Sequence, residues 1–113
     1  MHEMSIAQNI VDIILDEMAK HEATILKSIR LNIGEMTAVV PDSLSFCFKL
    51  ITEGSAIEGA DLIIDMIPLK GYCHGCRSEF KIKDYAFACP LCGGSKIDTM
   101  GGRDLSIVEI EVE

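Results

Sequence analysis

The sequence contains no tryptophan, and aromatic residues make up only 5% of its 113 positions. Apolar residues nevertheless reach 49%, so the core has to be built from isoleucine, leucine, valine and methionine. No apolar run approaches the roughly 20 residues that span a bilayer. The N-terminal stretch IAQNIVDIILDEM is interrupted by polar and acidic residues, and no basic segment of the kind found in signal peptides precedes it. We therefore expect a cytoplasmic protein without membrane insertion, made of one domain or of one domain with a small appendage.

Positive charge is also scarce, and it is concentrated in one segment. The chain has 10 lysines and arginines against 18 aspartates and glutamates, which gives a net charge of −8. Between Lys70 and Arg103 the local charge is about +3, whereas the rest of the chain carries about −11. Proteins that bind nucleic acid neutralise phosphates with basic residues. The acidic body therefore argues against a nucleic-acid partner and favours proteins or cations.

Hydrophobic periodicity predicts two helices. Apolar residues recur at helical spacing over residues 5–20, and Ser5 is the expected N-cap. A second helix is expected after Pro41, with Asp42 or Ser43 as its cap and Gly54 as its end.

Three stretches predict strands. In TILKSIRLNIG, one face is expected to hold Ile25, Ile29, Leu31 and Ile33. ADLIIDMIP is apolar on both faces, which predicts a central or well-covered strand. LSIVEIEVE is expected to return to the first sheet, with Glu109 and Glu111 outward and with Val108, Ile110 and Val112 inward. The predicted fold class is therefore α+β, a small three-stranded sheet with two helices.

Four of the five cysteines form two CxxC pairs, separated by twelve residues; they are Cys73, Cys76, Cys89 and Cys92. Cysteines in the cytoplasm are normally reduced, so this spacing predicts a tetrahedral thiolate site for a metal ion rather than disulfides. Residues 70–102 are rich in glycine and cysteine and poor in long apolar runs. We expect them to form a zinc-ribbon-like module, inserted into a body made of residues 1–69 and 103–113.

The expected metal is a structural Zn²⁺, because four protein ligands leave no coordination position open for catalysis. Iron in a rubredoxin-like cage is the competing assignment, and ligand type alone does not exclude it. His74, inside the first CxxC pair, is expected to be a solvent-facing turn residue or an alternative metal ligand. Cys47 is expected to be a small core residue, and His21 to end the first helix, where a cation favours the helix dipole.

The chain begins MHEMS, which predicts a second metal site. The α-amine of Met1, the backbone nitrogen of His2 and the His2 imidazole can all reach one ion. Glu3 can add its backbone nitrogen or its carboxylate. Nitrogen-rich tetragonal ligand sets suit Ni(II) or Cu(II). Methionine is normally removed only before small residues, so His2 is expected to preserve Met1. The alternative is that a histidine occurs at position 2 by chance.

MHEMS, the body containing PDSLSFCFKLITEGSAIEGADLIID, the two CxxC pairs and the short acidic strand together resemble the HypA/HybF family of hydrogenase nickel-incorporation proteins. The resemblance covers essentially the whole chain. It implies a nickel metallochaperone that binds nickel weakly through His2 and holds structural zinc with the four paired cysteines. It also implies transfer of nickel, with a HypB-type GTPase, to the large subunit of NiFe-hydrogenase, and in some organisms service to urease maturation proteins.

Some relatives add a histidine from the linker before the zinc module, but here that linker is PLKGY and contains none. His74 is the nearest substitute. An enzyme is not expected, because the sequence holds no catalytic triad, phosphate loop or carboxylate pair beside a metal-activated water. The alternative functions are a zinc-ribbon protein–protein adaptor without a nickel role and an iron-containing electron carrier. The sequence leaves the oligomeric state open, a homodimer included.

Overall fold

The computed structural model describes residues 2–83 and 85–113. Over these residues the chain forms two α-helices and six strands in the following order: α1 (Glu3–Lys20), β1 (Leu26–Gly34), α2 (Pro41–Thr52), β2 (Asp61–Ile67), β3 (Lys70–Cys73), β4 (Glu79–Lys81), β5 (Ile97–Met100) and β6 (Leu105–Val112). A single 3-10 turn, Glu35–Thr37, connects β1 to α2. Neither α1 nor α2 combines the length and apolar character needed to cross a membrane.

The strands form two separate three-stranded sheets. In the first, β1 lies between β2, to which it is parallel, and β6, to which it is antiparallel. In the second, β3 lies between β4 and β5, and both pairings are antiparallel. The chain leaves the first sheet after β2, builds the second sheet and returns through β6. The predicted α+β class, with a cysteine-containing insertion between two strands of the main sheet, is confirmed.

The first helix begins earlier than predicted. Its N-cap is His2, in an extended conformation, so the prediction of Ser5 as the cap is wrong. An acidic residue in the first turn is favourable at the positive end of a helix, and Glu3 occupies that place. The Glu3 carboxylate also accepts a hydrogen bond from the backbone N–H of Val40, at 3.4 Å. These two interactions stabilise the extra turn.

The second helix starts directly at Pro41, with Val40 as its N-cap. The predicted caps Asp42 and Ser43 are therefore wrong, and both residues lie inside the helix. Proline is favoured at the first helical position, because its missing N–H would have no partner there and its φ already suits the helix. Gly54, at a φ of 76°, follows the end of the helix, close to where it was predicted.

An irregularity in the register between β1 and β6 falls between Leu26 and Ser28. Leu26 is buried at 6% exposure, whereas Ile25, which was predicted to face the core, is 51% exposed. The predictions for Ile29, Leu31 and Ile33 are confirmed, since all three are completely buried. Side chains alternate between the two faces of a strand, so an irregularity of one residue exchanges the residues that face the core with those that face solvent.

A second irregularity reverses the alternation along β6. Arg30 pairs with Glu109 and Leu31 pairs with Ile107, which leaves Val108 without a partner on β1. Val108 is therefore 49% exposed and not inward as predicted, and Val112 is also exposed. The side chains of β6 that pack against the core are Leu105, Ile107 and Ile110.

The second strand, β2, lies at an edge of the first sheet. Its sequence predicted a strand that is either central or well covered, and the central position is wrong. Leu62 and Ile64 pack against the core, while Ile63 and Ile67, on the other face, are half-buried. Its apolar residues on both faces therefore do not indicate a central position.

The core lies between the two helices and the first sheet. It is mainly aliphatic, as the composition predicted, and its buried members are Ile6, Ala7, Ile10, Val11, Ile14, Met18, Leu26, Ile29, Leu31, Ile33, Val39, Leu44, Phe48 and Ile57. None of these residues belongs to β3, β4 or β5. The second sheet therefore needs a source of stability other than an apolar core.

Candidate metal centre

The four paired cysteines meet at one end of the second sheet. Their sulfur atoms all lie within 4.8 Å of one another. The sulfurs of Cys73 and Cys92 are 3.6 Å apart, and those of Cys76 and Cys89 are 3.5 Å apart. Zn–S bonds of about 2.3 Å in a tetrahedron place the sulfurs about 3.8 Å apart. The arrangement therefore fits one tetrahedral metal ion.

Backbone hydrogen bonds shape the two turns that present these sulfurs. In the first turn, the N–H of Arg77 donates to the carbonyl of Cys73 at 2.7 Å. In the second, the N–H of Gly93 donates to the carbonyl of Cys89 at 2.8 Å, and the N–H of Cys89 donates to the carbonyl of Gly94 at 2.9 Å. Gly93 has a φ of 73°, a conformation that favours glycine. The short spacing in each CxxC pair thus produces a tight turn with both sulfurs on one side.

The electrostatics of the cluster favour a cation. Hydrogen bonds from the backbone amides of Cys92 and Leu91 lower the pKa of the Cys89 thiol to about 6. The backbone amide of Gly94 acts in the same direction on Cys92, but the neighbouring sulfurs of Cys73 and Cys89 outweigh it and raise the pKa of the Cys92 thiol to about 11. Four thiolates at this separation repel one another, and a bound divalent cation removes that repulsion.

His74 lies beside the cluster, and its ring interacts with the second sheet. Its Nε2 is 2.6 Å from Oδ2 of Asp98, and its ring contacts that of Tyr72 edge-on, with centroids 5.0 Å apart. Tyr72 and Asp98 are partners on β3 and β5. No local sequence pattern points to either residue, because only the pairing of β3 with β5 places them together.

Cys47 is separate from the cluster. It lies on α2, where it is half-buried and packs against the core. His21 is the C-cap of α1, as predicted, and its Nε2 is 3.8 Å from a carboxylate oxygen of Glu17.

The start of α1 carries the residues predicted to bind the second metal. His2 is exposed, and its carbonyl accepts the N–H of Ile6 at 3.2 Å. The N–H groups of the first turn of a helix have no carbonyl partner within the helix. A metal ion can therefore bind the backbone nitrogen of Glu3 without breaking a hydrogen bond of the helix. Met1, whose amine was predicted as a ligand, lies outside the described residues.

A small α+β body with an inserted four-cysteine cage defines a metal-binding protein that holds its ion in a closed site. The family model described as "Hydrogenase/urease nickel incorporation, metallochaperone, hypA" matches residues 1–112. The chain therefore belongs to the HypA family, whose members are metallochaperones and maturation factors and not enzymes. This agrees with the resemblance found in the sequence.

Relatives from several bacteria match the whole chain. A hydrogenase maturation factor HypA from Streptomyces avermitilis is 42% identical over 117 residues, which cover 100% of this chain and 88% of the relative. The HypA proteins of Geobacter sulfurreducens and Geotalea uraniireducens are 42% and 38% identical over 113 residues, with 100% of both chains covered in each case.

Two solved structures share the fold. The solution structure of the Ni metallochaperone HypA from Helicobacter pylori matches with a TM-score of 0.66 and 20% identity, and covers 99% of this chain and 97% of that one. A second solution structure, of a HypA protein, matches with a TM-score of 0.72 and 20% identity, and covers 99% of this chain and 96% of the other.

Proposed function

We propose that this protein binds Ni(II) at its N-terminus and delivers it to the large subunit of NiFe-hydrogenase during maturation. The ligands are the amine of Met1, the backbone nitrogen and imidazole of His2, and Glu3 through its backbone nitrogen or carboxylate. The observation that supports this most directly is the position of His2, exposed at the N-cap of α1 in a chain that belongs to a nickel-incorporation family. Nickel is the cargo of the protein and not a resident cofactor.

The position of the site suits a carrier. A carrier has to acquire nickel and then lose it to a tighter site, and an affinity near 1 μM corresponds to about −8 kcal/mol. The positive end of the α1 dipole opposes a cation bound there, which keeps the affinity moderate. The exposure of His2 means that few ordered contacts have to break when nickel is transferred.

We assign a structural Zn²⁺ to Cys73, Cys76, Cys89 and Cys92, because their sulfur separations suit it. The zinc-binding module is residues 70–102, and the nickel-binding body is residues 1–69 and 103–113. Metal analysis of protein purified without added metal distinguishes zinc from iron. A colourless sample with one zinc per chain supports the assignment, whereas a red sample with iron would refute it. The His74 ring lies within hydrogen-bond distance of Asp98, and its role as an alternative metal ligand stays a prediction.

The proposed partners follow from the same role. They are a HypB-type GTPase and the hydrogenase large subunit, with urease maturation proteins as a second set, because the family description includes urease. We propose a cytoplasmic location, where the thiols stay reduced, and a homodimer as the oligomeric state to test alongside nickel binding.

A nickel titration by calorimetry tests the proposal, with the zinc content held equal in all samples. The native chain, His2→Ala and His21→Ala are compared. His21 is the matched control, since it is an exposed histidine at the opposite end of the same helix. We expect one nickel per chain in the native protein and in His21→Ala, and loss of that site in His2→Ala. Equal nickel binding by all three proteins would favour the alternative function, a zinc-ribbon protein–protein adaptor without a nickel role.

A further inference from the structure

Two cavities join into one groove between α1 and the edge strand β6. The first, of about 460 Å³, is lined on the β6 side by residues 107–110 and Val112 and on the α1 side by Ile13, Glu17 and Met18. The second, of about 380 Å³, lies further toward the start of β6. Ile13 and Ile107 line both cavities, so the groove is continuous along β6.

Apolar side chains that line the groove are exposed to solvent. Ile13 is 51% exposed and Val108 is 49% exposed. Val108 is the residue that the irregular register with β1 leaves unpaired. An apolar strip along a cleft is typical of a docking surface.

Backbone groups on the outer side of β6 are also available. In the part of the chain that the structure describes, β6 pairs with β1 on one side and with no strand on the other. An extended segment that lies along such an edge forms main-chain hydrogen bonds and inserts every second side chain into the adjacent groove.

The charges along β6 indicate what kind of segment fits. Glu109 and Glu111 are exposed on the strand, and Glu113 follows it. Within residues 2–83 and 85–113, neither Glu109 nor Glu111 forms a salt bridge. Glu109 lies opposite Arg30 on β1, but the guanidinium of Arg30 forms its salt bridge with Asp65, at 2.8 Å. The carboxylate of Glu111 accepts a hydrogen bond from Ser28, at 3.1 Å. Side chains directly opposite on neighbouring strands interact, and unlike charges stabilise the pair.

We propose that β6 and the adjacent groove bind an extended segment of a partner protein in which apolar and basic residues alternate. The apolar side chains of the segment enter the groove beside Ile13 and Ile107, and its basic side chains lie opposite Glu109 and Glu111. A second copy of this chain is not the occupant, because pairing β6 with β6 would bring two rows of glutamates together.

A synthetic peptide with the sequence Lys-Val-Lys-Val-Lys-Val-Lys, blocked at both ends, is a direct probe. Its matched control replaces the central valine with proline, which keeps the charge but removes a main-chain donor and disfavours strand pairing. Binding is measured by fluorescence anisotropy, and the contact surface by amide hydrogen exchange of the full-length zinc-loaded protein. We expect the first peptide to bind at least about tenfold more tightly and to protect amides of residues 105–112.

Variants of the protein locate the contact. Ile13→Lys is expected to weaken binding of the peptide at least about tenfold, the effect of losing one apolar anchor. Leu15→Lys is the matched control, because Leu15 is 46% exposed on the same helix but outside both cavities. Glu109→Gln combined with Glu111→Gln should weaken binding and reduce its dependence on salt. Unchanged thermal melting and zinc content show that each variant is folded.

Three results would overturn the proposal. Equal binding of both peptides would show general attraction to the acidic body. Equal effects of Ile13→Lys and Leu15→Lys would place the contact elsewhere. A concentration-dependent dimer of the native chain that Ile13→Lys abolishes, seen by sedimentation, would make a second copy the occupant.

Discussion

Gly34 and Gly102 approach each other so closely that neither position tolerates a side chain. A Cβ on Gly34 would lie 2.1 Å from the carbonyl carbon of Gly102, and one on Gly102 would lie 2.7 Å from the Cα of Leu69. Two hydrogen bonds hold the crossing together: the N–H of Gly34 donates to Asp104 at 2.8 Å, and the N–H of Met36 donates to Gly102 at 2.7 Å. The backbone at the end of β1 therefore packs directly against the backbone of the two segments that connect the first sheet to the second.

Gly34→Ala should destabilise the protein by about 3 kcal/mol, because the backbone on both sides has to shift. Gly59→Ala is the control, since Gly59 has a φ of 86° but no atom within 4 Å of its Cβ position. That variant should lose only the conformational cost of about 1 kcal/mol. Urea unfolding of the two variants measures the difference. A similar decrease in the free energy of unfolding in both variants would show that the close contact at Gly34 does not contribute to stability.

At the scale of elements, the first sheet packs on the apolar core, whereas the second sheet ends at the four-cysteine cage and its strands contribute no residue to that core. In and beside the module, the buried hydrophobic residues outside the core cluster are Leu69, Cys73, Ile82 and Cys89, and two of these are cysteines of the cage. Each buried aliphatic side chain of the body contributes about 1.5–3 kcal/mol. Within residues 70–83 and 85–102, the module has no comparable set of buried aliphatic side chains.

Removal of the metal should therefore unfold β3, β4 and β5 and leave α1, α2 and the first sheet folded. Treatment of the full chain with a strong chelator, followed by hydrogen exchange, measures this. Amides of residues 70–100 are expected to lose protection, while those of β1 keep it. Cys76→Ser should behave like chelation, and Cys47→Ser, at a cysteine outside the cage, should not. Uniform loss of protection throughout the chain would contradict the prediction that only the second sheet unfolds without the metal.

A chain of hydrogen bonds connects the insertion to the N-terminus of the protein. Beyond the bond from Met36 to Gly102, the hydroxyl of Thr37 donates to the carbonyl of Gly34 at 2.8 Å and accepts the N–H of Val39 at 3.3 Å. The next residue, Val40, donates its N–H to Glu3 at 3.4 Å. The 3-10 turn thus links the base of the cysteine module to the first turn of α1.

On the proposed nickel role, Thr37→Val should change nickel affinity without changing zinc content. Valine has a similar shape but lacks the hydroxyl, so the turn loses two hydrogen bonds of about 0.5–1.5 kcal/mol each. We expect nickel binding up to about tenfold weaker by calorimetry. Thr99→Val, at an exposed position on β5, is the control. Nickel affinity equal to that of the native chain would show that the turn does not couple the two sites.

At the scale of the whole molecule, the pKa values of the cysteine thiols determine the pH range in which the cage binds a metal ion. Near neutral pH the Cys89 thiol, with a pKa of about 6, is mostly thiolate, whereas the Cys92 thiol, with a pKa of about 11, is protonated. The proposed zinc ion therefore has to displace the proton of Cys92. Below pH 6 it has to displace that of Cys89 as well, so affinity falls on acidification.

As long as the empty cage keeps its turns, zinc affinity should decrease by about tenfold per pH unit for each proton displaced, and the decrease should become steeper below about pH 6. Competition with a chromogenic chelator across this range measures it. Calorimetry in buffers of different ionisation enthalpy counts the protons released. An affinity that does not vary with pH would show that the thiols are already ionised before the metal binds.

The sequence by itself determined the features that depend on local spacing. The two CxxC pairs predicted the four-sulfur cluster, because a two-residue gap is enough to form each turn. The apolar spacing of residues 6–18 predicted α1, and the alternation at Ile29, Leu31 and Ile33 predicted the buried face of β1. The position of the cysteine module between two strands of the main sheet also followed from the order of these patterns.

Only the tertiary structure decided features that depend on pairing between distant segments. The irregular register between β1 and β6 turned Val108 outward and replaced Ile25 with Leu26 in the core, and no local pattern encodes a bulge that arises from cross-strand fit. The edge position of β2 and the contact of His74 with Asp98 likewise depend on strand order. The groove beside β6 exists for the same reason, since it forms where a helix and an edge strand, far apart in the sequence, leave space between them.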